Sequence, residues 1–257
     1  MKNVEKNSVF AIGKAEDAEL LIGKLLAGTI LAVEVRNFLS EKECDHVVGL
    51  LHSMEMDEDY LQGKARKIGL SAHNMQSGPD AYFQGAKDHP LLQHPTITNV
   101  VDKFFELFRG CGCEIGVATN RSGDDYSATI VREFHSELKI HNDFAPREQV
   151  GWFPIQDVRR QFAYVLKLTN CLGGETLFYP KRWEASDEAY FNHDDNYSYD
   201  KAVVSGFPEF RINGPKGTLI VFDCTNYHSV NKVLCGRRYT MGGFVGELSD
   251  EQFIVWS

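Results

Sequence analysis

Histidine and aspartate recur in this 257-residue chain in a pattern suited to holding one metal ion. His141-Asn142-Asp143 puts an imidazole and a carboxylate two residues apart, and His228 supplies a distant second imidazole. Two histidines and one carboxylate occupy one face of an octahedral ferrous ion and leave three positions open for cosubstrate and O2. The local pattern is not unique. His135-Ser136-Glu137 and His193-Asp194-Asp195 have the same form, and nine histidines among 36 acidic residues make chance matches frequent. Context favours His141. Leu138-Lys139-Ile140 before it alternates as a strand end does, and residues i and i+2 of a strand point to one side. His193 lies in a polar stretch, where a solvated histidine is the plainer reading. His135 shares the segment of His141 and stays open as a ligand, a neighbour of the metal shell or a substrate contact.

Downstream residues add a second function. Gly217-Thr218-Leu219-Ile220-Val221-Phe222-Asp223 reads as a buried strand, Tyr227-His228-Ser229-Val230 follows a turn, and Arg238-Tyr239-Thr240 comes ten residues later. A 2-oxoacid on the metal needs a cation at its far carboxylate, and an arginine fork on the next strand provides one. Arg238 and Thr240 fall on the same side of that strand, so the hydroxyl adds a hydrogen bond, and Arg237 faces the other way, toward solvent.

These residues need a β framework. Segments at 127–131, 161–168, 176–179, 218–222 and 239–245 are short, β-branched or aromatic, and bounded by turn residues. They predict an antiparallel sandwich or jelly roll, with helices ahead of it as a buttress. Ser40 and Glu43 form a capping box that starts one helix, with an apolar stripe continuing to about residue 54. Val100, Val101, Phe104, Phe105 and Phe108 predict a second over 96–108, stopped by Gly110 and Gly112. Gly173-Gly174 reads as a tight turn where backbone must approach closely. The stretch 181–215 is polar, acidic and too long for a plain connection, which predicts a lid over the site.

Composition sets outer limits. Hydrophobic content of 43% supports a full core, and a net charge of −9 argues against tracking a nucleic-acid backbone. There is no apolar run of membrane-span length and no secretory h-region behind the first residues. Six scattered cysteines, with Cys111-Gly112-Cys113 too closely spaced for a zinc knuckle, suit a reducing cytoplasm. A small-molecule substrate is expected, with no nucleic-acid or membrane partner.

The ordered set His141-x-Asp143, Gly173-Gly174-Glu175-Thr176, Gly217-Thr218-Leu219, His228 and Gly236-x-Arg238 resembles the Fe(II)/2-oxoglutarate oxygenase superfamily, in its prolyl-hydroxylase-like branch. The likeness covers about residues 126–246, and Asn37-Phe38-Leu39-Ser40 extends it. It implies one mainly β domain with N-terminal helices around a double-stranded β-helix (jelly roll) core. Residues 1–125 would be the helical buttress and leading strands, and 126–247 the core with insert 181–215. It further implies Fe(II) on His141, Asp143 and His228, and 2-oxoglutarate held by Arg238 and Thr240. O2 is the other cosubstrate, and succinate and CO2 are released. Asn142-Asp143-Phe144, the strand ending at Asp223, Arg238-Tyr239-Thr240-Met241-Gly242-Gly243-Phe244 and terminal Trp256-Ser257 are similar to the cyanobacterial hapalindole and welwitindolinone alkaloid halogenases. Those carry Gly where Asp143 stands, which leaves a site for chloride. An aspartate there implies hydroxylation, cyclisation or desaturation of a small specialised metabolite, an amino-acid-derived compound or alkaloid, rather than halogenation. A prolyl-hydroxylase-like enzyme acting on a protein or peptide is the first alternative, and a halogenase the second. Arg132, on the preceding strand, is a candidate for an anionic substrate group. Phe144, Trp152 and Phe153 are candidates for an aromatic substrate wall or plain core. Of Tyr164 and Lys167, an odd number apart, at most one faces inward.

Overall fold

The computed structural model describes residues 9–60, 65–72 and 79–257. Strands β1 (Phe10–Lys14), β2 (Ala32–Arg36), β3 (Asp57–Tyr60), β4 (Ala65–Ile68) and β5 (Glu114–Val117) precede the core. The core strands are β6 (Ile130–Phe134), β7 (Leu138–His141), β8 (Arg160–Lys167), β9 (Cys171–Gly173), β10 (Thr176–Arg182), β11 (Phe210–Ile212), β12 (Leu219–Asp223), β13 (Asn226–Val230), β14 (Val233–Gly236) and β15 (Arg238–Ser249). β16 (Gln252–Trp256) closes the chain. Helices are α1 (Ala18–Leu26), α2 (Glu41–Leu51), α3 (Pro79–Lys87), α4 (Pro90–Gln93), α5 (Pro95–Gly110) and α6 (Ala145–Glu148).

Two sheets face each other. The major sheet runs β1-β2-β12-β8-β15-β6-β4-β3, and the minor sheet runs β11-β10-β13-β7. The chain alternates between them, β6 to β7, β8 to β10, β12 to β13, which is the winding of a double-stranded β-helix. The expected jelly roll is therefore present, and no described helix is long and apolar enough to cross a membrane.

Each face of the major sheet buries a different partner. Outward, Phe162, Tyr164, Leu166, Val221, Met241 and Val245 pack under α1, α2 and α5, with Ile22, Leu51 and Phe104. Phe104 stacks on Tyr164 with ring centroids 4.3 Å apart, a contact that contributes ~1 kcal/mol beyond area burial. Inward, Ala163, Ile220, Phe222, Phe244 and Trp256 meet Phe178 of the minor sheet. Period-2 alternation on the strands and helical spacing of the five residues in α5 thus solve one packing problem from two sides.

Helix α2 begins as predicted. Glu43 N–H donates to Ser40 Oγ at 3.3 Å, and Ser40 N–H donates to Glu43 Oε2 at 2.6 Å. It stops at Leu51, short of the expected residue 54. Its approach is fixed by Gly217, whose φ is +83° and where a Cβ would lie 2.1 Å from Leu39 O. Ser40→Ala should cost about 1 kcal/mol of stability, read as a lowered midpoint in urea unfolding.

The 181–215 insert is ordered and has its own small core. Tyr199, Val203 and Val204 pack on Leu177, Tyr179 and Tyr227, residues on the outer face of the minor sheet. Asp187 accepts from Lys181 Nζ at 2.5 Å and from Tyr227 Oη at 3.1 Å. The expectation of a lid over the site is corrected: most of the insert covers the outside of the minor sheet. Tyr197 reaches the site, its ring 5.8 Å from that of His141, and the end of the insert turns inward, with Ile212 in the interior cluster and Asn213 and Gly214 on Lys167.

Candidate metal centre

Topology brings the distant histidines together. His141 ends β7, and His228 on β13 is its direct cross-strand partner. Their rings lie 4.2 Å apart between centroids. Asp143 follows the end of β7, tied by its N–H to Cys224 O at 2.9 Å. Its Oδ2 is 3.2 Å from His228 Nε2 and 4.0 Å from His141 Nε2. One donor atom from each residue lies within 4.8 Å of the others, and this is the one such set among the described residues. The competing pairs are elsewhere. His135 is exposed after β6. His193 meets Phe191 edge to face, and Asp195 is engaged by Lys139 and Ser198, which help push its carboxyl down to about 2 against the opposing pull of burial.

The donor chemistry fits a divalent ion. His141 Nδ1 is 2.7 Å from Lys139 O, and His228 Nδ1 is 3.0 Å from Asn226 O. A carbonyl can only accept, so both Nδ1 atoms carry the proton and both Nε2 lone pairs face Asp143. Burial, and next the neighbouring His228, lower the His141 pKa to about 4, which keeps that imidazole neutral and able to ligate. The loop between ligands is braced. Arg147 donates to Asn142 Oδ1 at 2.6 Å and lies over Trp183, and Ala145 N–H donates to Gln161 Oε1 at 2.7 Å.

Arg238 opens β15 inside the barrel, 3% exposed. Its Nε donates to Gly174 O at 2.9 Å, and its guanidinium lies over the Phe134 ring at 5.1 Å. Burial lowers its pKa to about 10, so it remains charged at neutral pH. Thr240 is buried on the same face. Lys167 is the inward member of the odd-spaced pair, in register with Thr240. Its Nζ donates to Asn213 Oδ1 and Gly214 O, each at 2.6 Å. Burial, then Arg238, push its pKa down. The interior thus holds buried cations at one end and an anionic carboxylate among imidazoles at the other. A dianionic 2-oxoacid matches both ends.

The Gly173-Gly174 turn is required by that approach. At Gly174 φ is +70°, and a Cβ would come within 2.7 Å of Arg238 Cδ. Gly174→Ala should therefore displace the guanidinium and raise the KM for 2-oxoglutarate roughly ten- to a hundredfold. An unchanged KM in a steady-state assay would count against the contact.

The other predicted residues divide. Phe144 and Trp152 pack against the interior cluster. Phe153 does not: it is 37% exposed, under the Arg121 guanidinium, and is removed from the aromatic wall. Arg132 pairs in register with Thr240 and shares the interior face. Arg237 faces outward as expected. Its guanidinium, however, joins Arg66 in clamping the buried Glu133 carboxylate, which their charges hold below the usual range despite its burial.

A family model described as the carrier-protein-independent halogenase WelO5 matches residues 9–257. The chain belongs to the WelO5 family. Within known proteins it is 29% identical over 246 residues to the L-gamma-glutamyl-L-propargylglycine hydroxylase of Streptantibioticus cattleyicolor, covering 91% of this chain and 90% of that one. It is 28% identical over 207 residues to leucinostatins biosynthesis cluster protein S of Purpureocillium lilacinum, covering 74% and 84%. Among solved structures, an N-substituted L-amino acid dioxygenase from Burkholderia ambifaria superposes with TM-score 0.62 at 17% identity, covering 93% and 91%. A Pseudomonas putida prolyl-4-hydroxylase gives 0.50 at 12%, covering 90% and 98%. Family, fold and donor set together make this WelO5-family member an Fe(II)- and 2-oxoglutarate-dependent oxygenase.

Proposed function

We propose that the chain hydroxylates an unactivated C–H bond of a small amino-acid-derived metabolite, releasing succinate and CO2. The carrying observation is Asp143, whose carboxylate oxygen lies 3.2 Å from His228 Nε2. An aspartate there fills the position that an alkaloid halogenase leaves to chloride, and so favours oxygen over halogen transfer. The hydroxylase and amino acid dioxygenase relatives support the substrate class.

In this reading His141, Asp143 and His228 hold Fe(II), and Arg238 with Thr240 holds the far carboxylate of 2-oxoglutarate. When bound, iron with 2-oxoglutarate and O2 supplies the oxidant. The chain's own residues position and shield it. The Lys139 and Asn226 carbonyls fix the imidazole tautomers. Phe222 packs edge-on to His228 with centroids 4.9 Å apart and keeps water from that side. Phe144 and Trp152 line the substrate side, and Arg132 offers a cation to an anionic substrate group.

The test combines two measurements on Fe(II)-loaded protein. Anaerobic addition of 2-oxoglutarate should produce a metal-to-ligand charge-transfer band. Aerobic incubation with amino acids and γ-glutamyl dipeptides in chloride buffer should yield succinate and a product heavier by one oxygen. A chlorinated product would favour halogenation, the reading that family membership suggests. Turnover with peptides alone would favour a prolyl-hydroxylase-like role.

A further inference from the structure

The two imidazoles of the centre are held unequally. His228 lies within β13, between β10 and β7, and pairs in register with Phe178 on one side and His141 on the other. His141 is the last residue of β7, a four-residue strand at the edge of the minor sheet. The end of a short edge strand has a sheet neighbour on one side only, and such ends open most readily. An imidazole placed there needs a brace from outside the sheet.

The 181–215 insert supplies it. Tyr199 N–H donates to Ile140 O at 2.8 Å, and Lys139 N–H donates to Tyr197 Oη at 3.3 Å. Lys139 is also the residue whose carbonyl lies 2.7 Å from His141 Nδ1. The N–H and C=O of one residue therefore join Tyr197 to the metal ligand. The Tyr197 ring meets that imidazole directly as well, edge to face, with centroids 5.8 Å apart and planes at 71°. At 3.3 Å the bond to Oη is long for N–H···O, so the ring contact carries most of the brace.

The turn before Tyr197 is shaped to aim it. Asn196 has φ +56°, and it and Asn37 are the two non-glycine residues with positive φ among those described. Asparagine adopts that left-handed backbone at modest cost, and β-branched residues do not. The Asp195 carboxylate, 8% exposed, accepts from Tyr197 N–H at 3.4 Å, Ser198 N–H at 3.1 Å, Asn192 Nδ2 at 3.2 Å and Lys139 Nζ at 2.9 Å. Asp195, the acid of a run that has the form of a metal motif, thus pins this turn to β7.

We propose that Tyr197 is a positioning residue for the metal: it holds the end of β7 and the plane of the His141 imidazole, so that ferrous-ion affinity depends on the insert being docked. This rests on His141 as a ligand. It gives the insert a part in the oxygenase site, although most of it covers the outside of the minor sheet.

The test titrates the full chain anaerobically with Fe(II) at saturating 2-oxoglutarate, reading the charge-transfer band, and follows thermal unfolding of the metal-free chain. Tyr197→Ala should weaken Fe(II) by roughly ten- to a hundredfold, the range for partners just outside a ligand shell. Tyr197→Phe keeps the ring and should bind within about threefold of the parent. Asn196→Val, which keeps Tyr197 but disfavours the turn, should repeat the Tyr197→Ala loss, and Asn196→Gly should not. Once iron is bound, the Kd for 2-oxoglutarate should stay within about threefold of the parent in every variant, because the Arg238 end is untouched. The proposal is overturned if Tyr197→Ala lowers the thermal midpoint but leaves Fe(II) affinity within about threefold. It is also overturned if Tyr197→Phe loses as much as Tyr197→Ala, or if iron and 2-oxoglutarate weaken together. A parent chain that gives no band, or a His141→Ala variant that binds Fe(II) like the parent, would instead sink the ligand assignment on which the proposal rests.

Discussion

Arg238→Met raises the Kd for 2-oxoglutarate by roughly 30-fold to several thousandfold and leaves Fe(II) binding within a few-fold of the parent. Removing one member of a buried, hydrogen-bonded charge pair costs about 2–5 kcal/mol, which sets that range. The guanidinium is 3% exposed, and the charge it presents is not dissipated into solvent. Its Nε is already committed to Gly174 O, so the fork is oriented before the ligand arrives. Lys167 nearby does not substitute, because its Nζ is bound to Asn213 and Gly214. Arg238→Lys should therefore recover little, since an ammonium lacks the planar pair of donors. Equilibrium titration of the charge-transfer band decides the matter. A Kd within threefold of the parent in Arg238→Met would mean that the cosubstrate lies elsewhere.

Sequence periodicity reached these residues because the decisive contacts obey short-range rules. Arg238 and Thr240 face inward because strands alternate, and the capping box of α2 and the apolar stripe of α5 are equally local. His141 was separable from His135 and His193 only through its order relative to Gly173-Gly174 and His228. The structure shows why order matters: the fold pairs His141 directly with His228. The register of β4 on β6 was not legible, because no local pattern encodes it. The start of the first core strand was misplaced for a different reason. Ser127 Oγ donates to Thr129 O at 2.8 Å, and Thr129 Oγ1 donates to Gly242 O at 3.2 Å. These side chains compete with ladder hydrogen bonds, and the strand begins at Ile130 instead of 127. The insert misled through its polarity. Its Tyr199, Val203 and Val204 are sparse in sequence but converge on one patch, which suffices to hold it on the minor sheet.

Asp143→Gly separates the two chemistries that this family's architecture can host. The substitution leaves both imidazoles in place, since each is anchored by its own backbone carbonyl and not by the carboxylate. It removes the one anionic donor of the set and opens a coordination position beside His228 Nε2. Loss of a first ligand should cost more than the ten- to hundredfold typical of outer partners, so hydroxylation should fall by at least about two orders of magnitude. A small halide fits the position and returns the missing negative charge. Sodium chloride should therefore tighten Fe(II) binding to the variant, while sodium sulfate at equal ionic strength should not, and the parent should respond to neither. Product mass spectra from the variant in chloride should show a halogenated species that the parent never forms. Retention of parental hydroxylation in Asp143→Gly would remove the carboxylate from the metal. Hydroxylation that is lost without any chloride effect would keep Asp143 as a ligand but show that the opened position is closed to halide, the neighbouring Phe222 and Cys224 side having collapsed onto it.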